Sequence, residues 1–150
     1  MELFELKNLK IGQYPFLSED KIRYADTDRQ GHVNNAIFNQ FLETARIELL
    51  YNPKKPLSTD GCSFVIVSLK MEFLKMIQWP GMVKVGTIVT RIGNSSIQLL
   101  QGIYQDNQVV AVAESTIVQV DNLSNLSTPL SASSKEQLQR YFFNHVTINK

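Results

Sequence analysis

The chain has 150 residues, 43% of them apolar, and 15 Lys and Arg set against 14 Asp and Glu leave a formal net charge of +1. That length buries one core, so one domain over 1–150 is expected, and the balanced charge offers no field for nucleic acid or a membrane surface. The apolar runs fall far short of the ~20 residues of a membrane helix, "MELFELKNLK" lacks the pattern of a secretory signal, and a single cysteine, Cys62, forms no internal disulfide, so the expected setting is the cytoplasm. Along the chain, residues 14–26 read as a first strand after a turn at Tyr14-Pro15. Residues 36–50 read as a helix, because Phe38, Phe41, Leu42, Ala45 and Leu49 share one face at three- and four-residue spacing. Asn34 or Asn35 would cap it, and Pro53 must lie beyond its end.

The period then changes. "CSFVIVSLKMEFLK" (62–75) and "MVKVGTIVTRI" (82–92) are rich in β-branched residues and read as strands. "GNSS" makes a turn. "SIQLLQGIYQ" and "QVVAVAESTIVQVD" flank Asp106-Asn107, a compact hairpin signal. The stretch 133–145 reads as a C-terminal helix, with Ser133 or Ser134 as cap and Glu136 in its first turn. Four consecutive strands with short links imply an antiparallel sheet. One long apolar-faced helix is best buried by wrapping that sheet around it, an α+β domain.

The segment "DTDRQGHVNN", directly before the first helix, concentrates the chemistry. A calcium loop starting at Asp26 would need a bidentate Glu where Ile37 stands and an oxygen ligand where Gln30 stands. An Asp-x-Asp phosphatase needs alternating β and α units, which the chain lacks. The two histidines, His32 and His145, have no Cys/His cluster around them for zinc. What fits is acid-base or nucleophilic work at a helix start. The unpaired N–H groups of a first helical turn hold a developing oxyanion, and a carboxylate one short loop upstream reaches an acyl carbon held there. A His four residues along could orient a water, and Gly31 lets the chain turn sharply. The same residue types are also common caps and turn formers.

"RYADTDRQGHVNNAIFNQFLETAR" (23–46) closely resembles the signature of the hotdog-fold acyl-CoA thioesterases of the 4-hydroxybenzoyl-CoA thioesterase type. The match is carried by Asp26, Asp28, Gly31, His32, Val33, Asn34, Asn35, Phe38, Glu43, Ala45 and Arg46. The resemblance implies an antiparallel sheet wrapped around one long helix, with Asp28 as catalytic nucleophile or general base and His32 and Asn35 supporting it. Gln30 stands where related acyl-carrier-protein thioesterases carry Asn. Asp26 is implied to be structural, and Glu43 and Arg46 are expected to pair or to hold the helix.

The acyl chain is expected beside the helix, between Phe38, Phe41 and the stretch Val67 to Met71, which includes Ser68 and Leu69. Coenzyme A contacts are expected from Arg91 and the turn containing Asn94 and Ser95, with Lys75 as a further candidate. The resemblance implies no metal and no organic cofactor. It implies acyl-CoA as substrate, with no nucleic-acid or membrane partner, and subunits paired edge to edge as a homodimer or homotetramer. Two rivals stand beside acyl-CoA hydrolysis: an acyl-carrier-protein thioesterase and a non-catalytic acyl-CoA-binding hotdog protein.

Overall fold

The computed structural model describes residues 1–143. His145 and the end of the expected C-terminal helix lie outside the described residues. The elements run β1 (Phe16–Ile22), α1 (Asn35–Leu50), β2 (Cys62–Phe73), β3 (Gly81–Ile92), β4 (Ser96–Gln105), β5 (Gln108–Asp121) and α2 (Ala132–Gln139). Short 3-10 turns occupy Leu3–Asn8, Ile11–Gln13 and Tyr24–Asp26. The strands form one antiparallel sheet ordered β1-β3-β4-β5-β2. With α1 packed on one face of it, this is the α+β hotdog layout.

The periodic face of α1 supplies the core. Phe38, Phe41, Leu42 and Ala45 pack on Val83, Val85, Ile103, Ala111 and Ala113 of the sheet. Further along, Leu49 and Leu50 meet Val89, Ile97, Leu99 and Ile117. Each large side chain so buried contributes about 1.5–3 kcal/mol. The β4–β5 hairpin turns at Asp106 (φ 52°) and Asn107 (φ 63°), the left-handed pair that a two-residue hairpin requires and that Asp and Asn tolerate.

The opposite face of the sheet is covered too, by the N-terminal segment before β1. Leu3, Leu6, Leu9 and Tyr14 pack against Ile88, Leu100, Tyr104 and Val112. This double cover explains why β4 is buried along nearly its whole length rather than at alternate positions.

Three boundaries differ from expectation. β1 ends at Ile22 rather than reaching residue 26. Asp26, 3% exposed, folds the chain back instead: its Oδ2 accepts from the Arg23 N–H (2.9 Å), and its carbonyl accepts from the Asn34 N–H (2.9 Å). β2 stops at Phe73, because the N–H groups of Leu74 and Lys75 both turn to the Val110 carbonyl (2.8 and 3.1 Å) and break the ladder. α2 starts earlier than residue 133 and is capped by Ser131, whose Oγ accepts from the Ser134 N–H (3.0 Å). Ser134 is not the cap; its hydroxyl donates to the Leu57 carbonyl (2.6 Å). Nor does Ser133 cap it, and Glu136, the fifth helical residue, falls beyond the first turn.

Candidate active site

Residues 27–33 form a miniature hairpin. Thr27 pairs with Val33, the Asp28 N–H donates to the His32 carbonyl (2.8 Å), and the Gly31 N–H donates back to the Asp28 carbonyl (3.2 Å). Gly31 sits at φ 80°, the left-handed step that closes a three-residue hairpin loop. The Asp28 side chain tightens the same turn, its Oδ1 accepting from the N–H groups of Gln30 (2.8 Å) and His32 (3.2 Å). Among the described residues Oδ2 takes no hydrogen bond. The carboxylate is therefore held by one oxygen and presents the other.

The hairpin is anchored from below. The Val33 N–H donates to the Ile77 carbonyl (2.8 Å), His32 bridges Gln78, and the Trp79 N–H reaches the Gly31 carbonyl (3.4 Å). Half-buried His32 keeps its Nδ1 without a hydrogen-bond partner among the described residues. A buried polar atom in that state is destabilising unless the site's occupant satisfies it.

The start of α1 follows at once. Asn34 is the N-cap, and its side chain accepts from the Ala36 N–H (3.0 Å). The Asn34 N–H donates to the Asp26 carbonyl, and the Asn35 N–H, the first of the helix, has no acceptor among the described residues. An unpaired amide at the positive end of a 16-residue helix suits a developing oxyanion.

Asp28, His32 and Asn35 line one cleft of about 590 Å³, so the structure brings the three expected catalytic residues together. Its remaining wall is Gln30, Val33 and the segment Phe73, Leu74, Lys75 and Met76. Lys75 was expected near the substrate; Phe73, Leu74 and Met76 were not. The signal for them is the density of large apolar side chains just after a strand, of which Phe73 and Met76 are exposed at 49% and 63%.

The other expected substrate contacts are not in this cleft. Phe38 (1% exposed) and Phe41 (3%) belong to the core, with the Phe38 ring edge-on to Phe73 at 5.1 Å. Ser68 and Leu69 are exposed on β2, Leu69 lying four residues, about 13 Å of strand, from Phe73. Arg91, Asn94 and Ser95 sit at the β3–β4 turn. β3 begins beside the cleft and runs about 36 Å away from it, which puts these residues at the other end of the strand.

Glu43 and Arg46 form no ion pair within 4 Å. Arg46, 5% exposed, instead donates to Gln101 Oε1 (3.3 Å). Gln101 Nε2 in turn reaches the Leu42 carbonyl (3.2 Å) and Thr87 Oγ1 (3.1 Å), which ties α1 to β3 and β4. Burial lowers the Arg46 pKa from its usual value, and the Glu43 charge acts the other way. Arg46 thus holds the helix, one of the two roles expected of it. Among the described residues, no group of three or more His, Cys, Asp or Glu is placed to hold a metal ion.

A sequence model of the thioesterase-like superfamily matches residues 22–138. No protein of curated function matches the chain. Among solved structures it is similar to the PA5185 protein from Pseudomonas aeruginosa strain PAO1, with a TM-score of 0.79 and 22% identity over 90% of this chain and 96% of that one. The PA2801 protein from Pseudomonas aeruginosa gives 0.74 and 26%, over 83% and 98%. A thioesterase from Thermus thermophilus, complexed with coenzyme A and zinc, gives 0.73 and 24%, over 85% and 93%. The hotdog fold and this superfamily match together give the class of the protein, a thioester hydrolase. The chain belongs to the thioesterase-like superfamily.

Proposed function

We propose that this hydrolase, as one hotdog domain over 1–150, cleaves acyl-CoA thioesters to a free acid and coenzyme A. The observation that carries the reading is Asp28, pinned through Oδ1 while Oδ2 stays unbonded, in the cleft that also holds the start of α1. The thioester carbonyl oxygen sits at the Asn35 N–H. As a nucleophile, Asp28 adds to the carbonyl carbon, the thiolate of coenzyme A leaves, and water hydrolyses the acyl-aspartyl anhydride. As a general base, it takes a proton from water as the oxygen adds, and the proton passes to the departing sulfur. His32 and Asn35 hold the reacting groups in place. Phe73, Leu74 and Met76 supply apolar contact for the acyl chain.

Coenzyme A in the Thermus thermophilus thioesterase supports this substrate class. Action in the cytoplasm is the reading that the single cysteine favours. Among the described residues, no helix is long and apolar enough to cross a membrane. Thiol release from acyl-CoAs of graded chain length is the test. Turnover is expected on part of the series; no turnover on any member would sink the reading.

The working form is a homodimer or a homotetramer built from it. β2 is one of the two edges of the sheet, and it exposes Val65 (40%), Ile66 (44%), Val67 (59%) and Leu69 (39%). An unpaired apolar edge is a template for a second strand, and Ser68 and Leu69 would then lie at the junction of two copies. Val67→Lys with Leu69→Lys is expected to convert the dimer to a monomer in sedimentation and to lower kcat/KM with it. A monomeric wild type, or a double variant that still sediments as wild type, would refute the arrangement.

A further inference from the structure

Lys75 borders more than the candidate catalytic cleft. Lys75 and Met76 also wall a second cavity of about 380 Å³, over Gln78, Gln105, Asp106 and Gln108. Lys75 and Gln108 then wall a third of about 360 Å³, whose far side is Lys7, Asn8 and Lys10 of the N-terminal segment with Asn107 of the β4–β5 hairpin. Shared wall residues set the three cavities side by side, from Asp28 past the end of β2 to the N-terminal segment on the other face of the sheet.

The charge along it is uneven. The chain as a whole carries nearly equal numbers of cations and carboxylates. The third cavity has three lysines in its wall and no carboxylate. Lys7 is paired with Glu72 (3.1 Å), and Lys75 Nζ donates one of its three hydrogens to Gln108 Oε1 (2.7 Å). Lys10 makes no ion pair among the described residues. The amides of Asn8, Asn107 and Gln108 add neutral donors.

We infer that this distal cavity binds the phosphates of the nucleotide end of coenzyme A, with Lys10 and Lys75 as the charged contacts. The inference rests on the acyl-CoA reading above. A coenzyme A thioester is long and thin, with its reactive carbonyl at one end of the pantetheine arm and its phosphates at the other. Those phosphates must lie outside the catalytic cleft, along whatever groove continues it, and ammonium groups and amide N–H groups are their natural partners. Lys7 and Lys10 lie before residue 22, where the match to the superfamily begins, so this chain's own N-terminal segment supplies the far wall.

Calorimetric titration with adenosine 3′,5′-bisphosphate, the nucleotide end alone, tests the site without catalysis. Wild type should bind it, more weakly as salt rises, and Lys10→Glu and Lys75→Ala should each weaken it about tenfold, the equivalent of one lost charge-assisted contact. In parallel, Lys10→Glu should raise KM for acyl-CoA about tenfold and leave turnover of acyl-pantetheine, which lacks the nucleotide, unchanged. Equal nucleotide affinity in wild type and both variants overturns the inference, as does equal loss on both substrates. A Lys10→Glu loss confined to carrier-protein-bound acyl groups would also overturn it, since the lysine would then dock a protein. Lysine-dependent nucleotide binding without acyl-CoA hydrolysis would uphold the distal site while removing the acyl-CoA hydrolysis reading. Hydrolysis with no lysine dependence would do the reverse.

Discussion

Asp28→Asn is expected to lower kcat by about a thousandfold or more, the scale on which a positioned nucleophile or general base acts, while leaving the fold intact. The geometry explains both halves. Asn keeps the Oδ1 acceptor that holds the Gln30 and His32 N–H groups, so the hairpin retains its closure. What is lost is the charge at Oδ2, the oxygen that the turn does not use. The neighbouring acid should behave in the opposite way. Asp26 is buried and accepts from the Arg23 backbone and guanidinium, so Asp26→Ala leaves a part-buried donor unpaired and opens a gap where the carboxylate was. It should lower stability by about 1–3 kcal/mol. Thiol-release kinetics beside thermal melts of the two variants separates the roles. Near-normal turnover by Asp28→Asn would remove Asp28 from the chemistry. An Asp26→Ala protein that melts like wild type would remove Asp26 from the fold.

Gly86→Ala is expected to be the most damaging single methyl group in the molecule. A Cβ there would overlap the Tyr14 ring, and one on Gly102 would overlap the Tyr14 hydroxyl. Tyr14 is the wedge that fastens the N-terminal segment to the outer face of the sheet. Its ring meets Tyr104 edge to face at 5.7 Å between centroids, and the two hydroxyls are 3.1 Å apart. The Tyr104 hydroxyl donates onward to the Leu9 carbonyl. Burial pushes both phenol pKa values up, so both stay protonated and able to donate. Neither the wedge nor the backbone beneath it can retreat without opening this cluster. Overpacking of this kind costs about 1–3 kcal/mol or more, which lowers Tm by about 3–10 °C in a protein of this size. Gly12→Ala is the control, because a Cβ there meets nothing within 4 Å, and it should shift Tm by about a degree or less. If Gly86→Ala melted with that control, Tyr14 would not be a structural wedge.

Both predictions draw on features of different legibility. α1 was readable because its apolar face repeats at helical spacing and because an Asn stands where the cap belongs; both are interactions within a few residues. That Asp28, His32 and Asn35 come together is legible for a similar reason. Asp28, His32 and Asn35 fall within eight positions, and one hairpin plus one helix start suffices to assemble them. The Asp106-Asn107 turn was legible because the left-handed conformation it needs is a property of those two residues alone.

What the sequence did not decide is everything set by pairing between distant segments. Phe38 reads equally well as a cleft wall or as core, and it is core because β2 lies at the sheet edge and brings Phe73 across to the cleft instead. Arg91, Asn94 and Ser95 look placed for coenzyme A, yet the length of β3 carries them to the far end of the sheet. Lys7 and Lys10 carry no local signal at all. They meet Lys75 only because the N-terminal segment crosses under the sheet, held by Tyr14 against two strands that carry glycine at the points of contact. Local periodicity and capping chemistry act over a few residues and are written in the chain. Which side chains share a cavity depends on strand order and burial, and those are settled only when the whole sheet closes.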